Sequence, residues 1–165
     1  MIRLLLLDVD GVLTDGGLYY NADGEVLKRF NVRDGLGIKQ LTAAGVAVAI
    51  ISGRDSPVLR RRASELGIQH VHAGIADKAH AAATLQSTLG IPHSDTAAMG
   101  DDLPDLPLFN VAALRIAPAD AEPEILALVD FVTPRPGGHG AVRDAARHIL
   151  ALNGQSTTDT KRLHG

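Results

Sequence analysis

The stretch that most constrains the fold is Leu4-Leu5-Leu6-Leu7 running straight into Asp8-Val9-Asp10-Gly11-Val12-Leu13-Thr14-Asp15. The apolar run 2–7, interrupted only by Arg3, reads as a buried strand. Two carboxylates two residues apart at the end of such a strand point to the same side, and the strand ends of a crossover sheet are where ligands gather. Paired negative charge is costly there without a cation. A hard divalent ion such as Mg²⁺, which takes a few carboxylates plus substrate phosphate, would neutralise it. A bare D-x-D is equally a pair of solvated acids capping the next element, so the rest of the chain has to decide.

Apolar strand-like runs at 4–7, 46–51, 71–72, 96–99, 114–116 and 131–132 alternate with helical patterns, which predicts an α/β fold: a Rossmann-like parallel sheet flanked by helices. Ser56 before Pro57 is an N-cap with proline at the first helical position, Leu59, Ala63 and Leu66 form one stripe, and Gly67 stops the helix. Ala82, Leu85 and Leu89 repeat that spacing before Gly90, and Val142, Ala145, Ala146 and Ile149 carry it in the last helix. One break in the alternation follows strand one, where 18–20, a turn at 21–24 and 26–30 read as a projecting β-hairpin. About twenty residues separate Gly11 from Phe30, too few for a cap domain with its own core. The expected organisation is a single domain over 1–154 and a polar, mobile tail over 155–165.

Composition removes several function classes. Without cysteine there is no disulfide framework and no Cys-based metal or nucleophile site. A net charge of −3 and only five aromatic side chains, Tyr19, Tyr20, Phe30, Phe109 and Phe131, give neither a field nor a stacking platform for nucleic acid. The apolar runs are too short to span a bilayer, and acids follow the first one at once, so the expectation is a cytoplasmic protein with no membrane partner.

Three further signals fall at predicted strand ends. Ile51-Ser52-Gly53-Arg54 offers a hydroxyl and backbone amides to phosphoryl oxygens. Lys78 opens the third main helix, and Gly100-Asp101-Asp102-Leu103-Pro104-Asp105 follows the fourth strand. Singly these are a turn serine, a solvated lysine and acids suited to a helix N-terminus. Acids, a hydroxyl and a lysine at successive strand ends of one sheet are a much rarer coincidence.

In this arrangement the chain resembles the haloacid dehalogenase superfamily phosphatases, whose four motifs are matched in order by D-V-D-G, Ser52, Lys78 and G-D-D-x-x-D. Within them it is most similar to the phosphatases of 3-deoxy-D-manno-octulosonate 8-phosphate (KDO 8-phosphate), which serve lipopolysaccharide precursor synthesis. Asp8-Val9-Asp10-Gly11-Val12-Leu13, Phe30-Asn31-Val32-Arg33-Asp34-Gly35, Gly53-Arg54, Gly100-Asp101-Asp102 and Gly137-Gly138-His139-Gly140-Ala141-Val142-Arg143 carry that likeness.

The resemblance implies that Asp8 attacks phosphorus to give an aspartyl-phosphate. Asp10 protonates the leaving sugar oxygen and later deprotonates water. Asp8, the backbone carbonyl of Asp10, and Asp101 match the family's Mg²⁺ ligands, and Ser52 and Lys78 match the groups that hold phosphoryl oxygens. Asp102 and Asp105 correspond to acids that orient the metal's surroundings and Lys78. Asn31, Val32, Arg33, Asp34, Gly35, Lys39, Arg54 and Arg62 match substrate-contacting positions, as do Asp10 and Lys78. Arg54 favours KDO 8-phosphate over nine-carbon sialic-acid-type phosphates, whose phosphatases commonly carry an acid there.

The same resemblance implies a homotetramer in which neighbouring hairpins cover otherwise open sites. His139 stands where relatives often have arginine, and Ser52 where they often have threonine. Of the other histidines, His70 and His72 read as a polar strand end, while His80, His93 and His148 read as surface positions. Two other classes bear comparison. A response-regulator receiver carries its phosphoacceptor after a middle strand, whereas D-x-D here lies at strand one. A non-catalytic assembly domain of the same superfamily is expected to lack Asp8 or Asp10, and both are present.

Overall fold

The computed structural model describes residues 1–156. Six parallel strands form one sheet in the order β5-β4-β1-β6-β7-β8. They are β1 (Leu4–Leu7), β4 (Ala47–Ser52), β5 (His70–Ala73), β6 (Thr96–Met99), β7 (Leu114–Ala117) and β8 (Phe131–Val132). The chain leaves β1 for β4 on one side and returns to β6 on the other, so β1 is the point where strand order reverses and a crevice opens at the strand ends.

Alternation along β1 explains its central place. Leu5 and Leu7 pack into the layer holding α1 (Val32–Ala43), α2 (Pro57–Leu66) and α6 (Ala141–Leu152), through Ile38, Leu41, Leu59, Ala63, Ala145 and Ile149. Leu4 and Leu6 face the other layer, with Ala82 and Leu85 of α3 (Lys78–Leu89), Leu108 of α4 (Leu106–Phe109) and Ile125 of α5 (Pro123–Leu126). All four leucines are 0% exposed. At about 1.5–3 kcal/mol per buried side chain, they anchor the residues that follow them.

At α2 the local signals act as read: Ser56 accepts a hydrogen bond from the Leu59 amide and Pro57 opens the helix. Asp77 adds a cap to α3 by accepting from the His80 amide. The hairpin forms from β2 (Tyr19–Asn21) and β3 (Gly24–Leu27) as a separate two-stranded sheet, with an irregularity between Tyr19 and Tyr20. Several strands extend one or two residues beyond their apolar runs, β5 taking in His70 and Ala73.

Three expectations need correction or limits. His148 is half-buried and stacks on Phe131, centroids 3.9 Å apart, because it lies at the edge of the α6 stripe; burial lowers its pKa. Gln155, placed at the start of the tail, is tied to the body by its amide to the Leu150 carbonyl (2.8 Å) and its side chain to the Ala44 carbonyl (3.3 Å). The rest of the expected tail, 157–165, lies outside the described residues. Among the described residues no helix is long and apolar enough to cross a membrane.

Candidate active site

A pocket of about 250 Å³ opens at the ends of β1, β4 and β6, lined by acids, Ser52, Arg54 and Lys78. Asp8 directly follows β1, its amide donating to the Met99 carbonyl at 3.1 Å. Val9 turns into the core, fully buried, which leaves Asp10 on the same side as Asp8. The loop then tightens on Thr14, whose hydroxyl accepts from the Gly11 and Gly16 amides at 3.3 and 3.2 Å. Gly11 sits at φ +87°, and a Cβ there would collide with the Asp101 carboxylate, so glycine lets the two acidic loops meet. Gly137 does the same behind the loop, where a Cβ would strike the Gly11 carbonyl; the Gly138 amide donates to the Val12 carbonyl at 3.1 Å.

Lys78, the first residue of α3, donates to Asp8 Oδ1 and Asp105 Oδ1, both at 2.8 Å, and is only 7% exposed. Burial pulls its pKa down, but Asp8 and Asp105 raise it more, so the ammonium stays charged. The other oxygen of Asp105 accepts from the amides of Asp101 and Asp102, at 2.9 and 3.4 Å. Asp105 thus ties Lys78 to the β6 loop. Asp102 is exposed and caps the Leu103 amide at 2.6 Å. Ser52 ends β4, 2% exposed, its hydroxyl accepting from the Arg54 amide at 3.2 Å.

The site carries more negative charge than its lysine balances. Burial, then repulsion from Asp105, pushes Asp8 up to about 6 despite Lys78. Burial, then Asp105, Asp8 and Asp102, pushes Asp101 up to about 7. Carboxylate oxygens of Asp8, Asp101 and Asp105 lie within 4.8 Å of one another, a spacing that suits one hard cation. Both Asp105 oxygens are already engaged, so Asp8 and Asp101 are the freer donors.

The remaining expected residues lie outside this pocket. Asn31 caps α1 by accepting from the Arg33 amide (2.9 Å), and Val32, Arg33 and Lys39 are exposed. Asp34, expected to contact substrate, is 1% exposed, with its oxygens accepting from the Gly140 and Arg143 amides at 3.2 and 3.0 Å, where it caps α6. Gly35 packs under Arg62, which lies 5.9 Å over the Phe30 ring and pairs with Glu65 at 3.7 Å. Its neighbours Arg60 and Arg61 pair with Asp55 and Glu65 on the solvated face of α2.

The hairpin supplies residues that motif reading does not reach. Lys28 donates to Asp10 Oδ1 at 2.6 Å and Glu25 Oε2 at 3.2 Å, and Arg54 Nη2 donates to the Tyr20 hydroxyl (3.0 Å) and Glu25 Oε2 (3.1 Å). One chain's own hairpin therefore touches the mouth of its site, through Asp10 and Arg54, without lining the pocket. No local signal marks Lys28, which in sequence resembles any solvated lysine flanking a short strand.

Comparison with known proteins fits this geometry. A family model described as haloacid dehalogenase-like hydrolase matches residues 64–143, and with the strand-end acids it defines the class. The 3-deoxy-D-manno-octulosonate 8-phosphate phosphatase of Haemophilus influenzae is 46% identical over 94% of this chain and 87% of its own. That of Escherichia coli K12 is 44% identical over 93% and 82%. The cobalt-bound H. influenzae enzyme superposes with a TM-score of 0.92 at 45% identity, covering 98% of this chain and 95% of that one. The Moraxella catarrhalis enzyme, solved with magnesium, phosphate and KDO, gives 0.89 at 42% identity, covering 96% and 90%. The chain belongs to the 3-deoxy-D-manno-octulosonate 8-phosphate phosphatase family of haloacid dehalogenase-like hydrolases.

Proposed function

We propose that this protein hydrolyses KDO 8-phosphate to KDO and phosphate with the help of Mg²⁺, as a cytoplasmic step of lipopolysaccharide precursor synthesis. The observation that carries the reading is the buried Asp8–Lys78–Asp105 link beside Asp101, at the one strand end where sheet order reverses. Mg²⁺ held by Asp8, the Asp10 carbonyl and Asp101 supplies positive charge for the phosphoryl oxygens.

Asp8 attacks phosphorus, forming a bond from its carboxylate oxygen while the bond from phosphorus to the sugar oxygen breaks. Asp10 gives that oxygen its proton. In the second half Asp10 takes a proton from water, the water oxygen bonds to phosphorus, and the aspartyl bond breaks to release phosphate. Lys78 and Ser52 hold the phosphoryl oxygens, the largest protein contribution in this class of reaction. Arg54, 44% exposed at the pocket mouth, receives the sugar acid's carboxylate through its planar fork.

Exposed Leu18, Tyr19, Val26 and Leu27 on the hairpin support a homotetramer in which neighbours complete the cover and bring Asn31, Val32, Arg33, Gly35, Lys39 and Arg62 toward substrate, while the Asp34 carboxylate stays buried on α6. Phosphate release from a panel of sugar-acid phosphates, with and without Mg²⁺, tests the activity, and sedimentation velocity of the same preparation tests the assembly. A preference for a nine-carbon acid phosphate would move the substrate assignment, and metal-independent release would remove the mechanism.

A further inference from the structure

The hairpin has no buried strand residue: Tyr19–Asn21 is exposed throughout and Gly24–Leu27 only half-covered at best. A lysine flanking such a ribbon ordinarily keeps its ammonium in water. Lys28 does the opposite, for its side chain is 3% exposed, folded inward between Asp10 and Glu25. Glu25 is opposite Tyr20 in the ladder, so the two share a face of the ribbon, and both accept from Arg54 Nη2. Arg54 Nε in turn lies 3.7 Å from Asp10 Oδ2. One oxygen of Asp10 therefore meets the hairpin's lysine and the other faces the pocket-mouth arginine.

We infer that Lys28 is a positioning residue for Asp10: the hairpin of each chain, through Lys28 and the Glu25 that holds it, fixes Asp10 Oδ1, so that Oδ2 is the oxygen that gives its proton to the leaving oxygen and later takes one from water. This rests on the assignment of Asp10 as the acid and base. Asp10 has no strand to hold it, since β1 ends at Leu7 and the backbone beyond it turns. A charge-assisted contact of 2.6 Å fixes one of its oxygens where packing does not. Lys28 itself needs no contact with substrate, and Glu25, 12% exposed, keeps it from swinging out.

The test compares Lys28→Met, Lys28→Arg and Asp10→Asn on KDO 8-phosphate and on 4-nitrophenyl phosphate, whose nitrophenolate leaves without a proton. With Lys28→Met, kcat on the sugar phosphate should fall by on the order of 10²-fold, the usual cost of misplacing a reacting group. KM should change little and the aryl phosphate should lose at least about tenfold less. Lys28→Arg should recover most of the sugar-phosphate rate. Equal losses on both substrates overturn the inference, as does a raised KM at unchanged kcat, which would make Lys28 a substrate contact. If Lys28→Met does not fold, Lys28→Gln takes its place and should show the same split in kcat at little-changed KM; no split there also overturns it. Asp10→Asn separates the two levels. No leaving-group split in that variant removes Asp10 as the acid, whereas a split there without one in Lys28→Met removes only the role of Lys28.

Discussion

Charge reaches the pocket from two regions held in place by opposite means. At the ends of β1, β4 and β6, Asp8, Ser52 and Asp101 follow or end strands whose apolar residues are almost wholly buried, and Asp105 and Lys78, the latter opening α3, are themselves buried. The hairpin has no such core. Its Tyr20, Glu25 and Lys28 reach the site through hydrogen bonds and ion pairs alone. Packing thus fixes the groups assigned to the phosphoryl end, where charge must be preorganised. Electrostatic contacts fix those assigned to the leaving oxygen and the sugar acid, which have to admit and release a substrate.

That contrast breaks most directly at Asp8. Replacing it with asparagine removes the attacking oxygen and one anionic donor while leaving the hairpin contacts intact. The expected loss is on the order of 10⁴–10⁶-fold in kcat on every phosphomonoester, aryl or sugar. Single-turnover phosphate release checks it. Appreciable turnover in clean Asp8→Asn protein would remove the nucleophile assignment.

A smaller and selective loss is expected at Arg54, where the two regions touch. Arg54→Lys keeps the charge but loses the fork that spans Tyr20, Glu25 and a substrate carboxylate. Turnover of KDO 8-phosphate should drop by roughly 10–10²-fold, a charged hydrogen-bonding pair being worth about 1.5–3 kcal/mol. A small phosphomonoester without a carboxylate should be nearly unaffected. Parallel losses would put Arg54 at the phosphoryl end, and the division between the regions would have to be redrawn.

The divide also marks how far the sequence could be read. Strand-end residues were legible because a buried strand imposes alternation: once Leu4–Leu7 is a central strand, Asp8 and Asp10 share a side and Val9 turns inward. The helix cap at Ser56 was equally local. Lys28 and Glu25 were not, since their partners Asp10 and Arg54 lie 18 and 29 residues away and no period links them. Asp34 shows the reverse limit: a family block suggests substrate, yet its carboxylate caps a helix that begins more than a hundred residues later. His148 needed the β8 register to reveal Phe131 beneath it.

Acidity at the packed strand ends gives a third, gentler test. Asp8 and Asp101 sit at about 6 and about 7, both above the ordinary 3.8, so the metal-free folded protein binds more protons than the unfolded chain between about pH 4 and pH 7. These two groups cost nothing below that window, and their penalty is complete above it. Thermal stability without metal should therefore decline as pH rises through the window. Mg²⁺ should restore it, most strongly above about pH 7, because binding has to displace those protons. Melting curves across the range, with and without Mg²⁺, check the sign. An equal Mg²⁺ effect at both ends of the window would mean that the ion binds elsewhere.

The smallest expected effect lies in the hairpin itself. Tyr20→Phe keeps the ring that supports the exposed apolar face but removes the hydroxyl that accepts from Arg54 at 3.0 Å. Glu25 continues to hold the same nitrogen at 3.1 Å, so Arg54 is loosened rather than freed. A partly solvated hydrogen bond is worth about 0.5–1.5 kcal/mol, which predicts roughly a 2–10-fold rise in KM for the sugar acid, with kcat and the sedimentation coefficient unchanged. Kinetics and sedimentation velocity on one preparation separate the two duties of the ring. A shift in oligomeric state would show that the hydroxyl serves the contact between chains, whereas a fall in kcat at constant KM would show that it acts with Lys28 on Asp10 and not through Arg54 on the substrate.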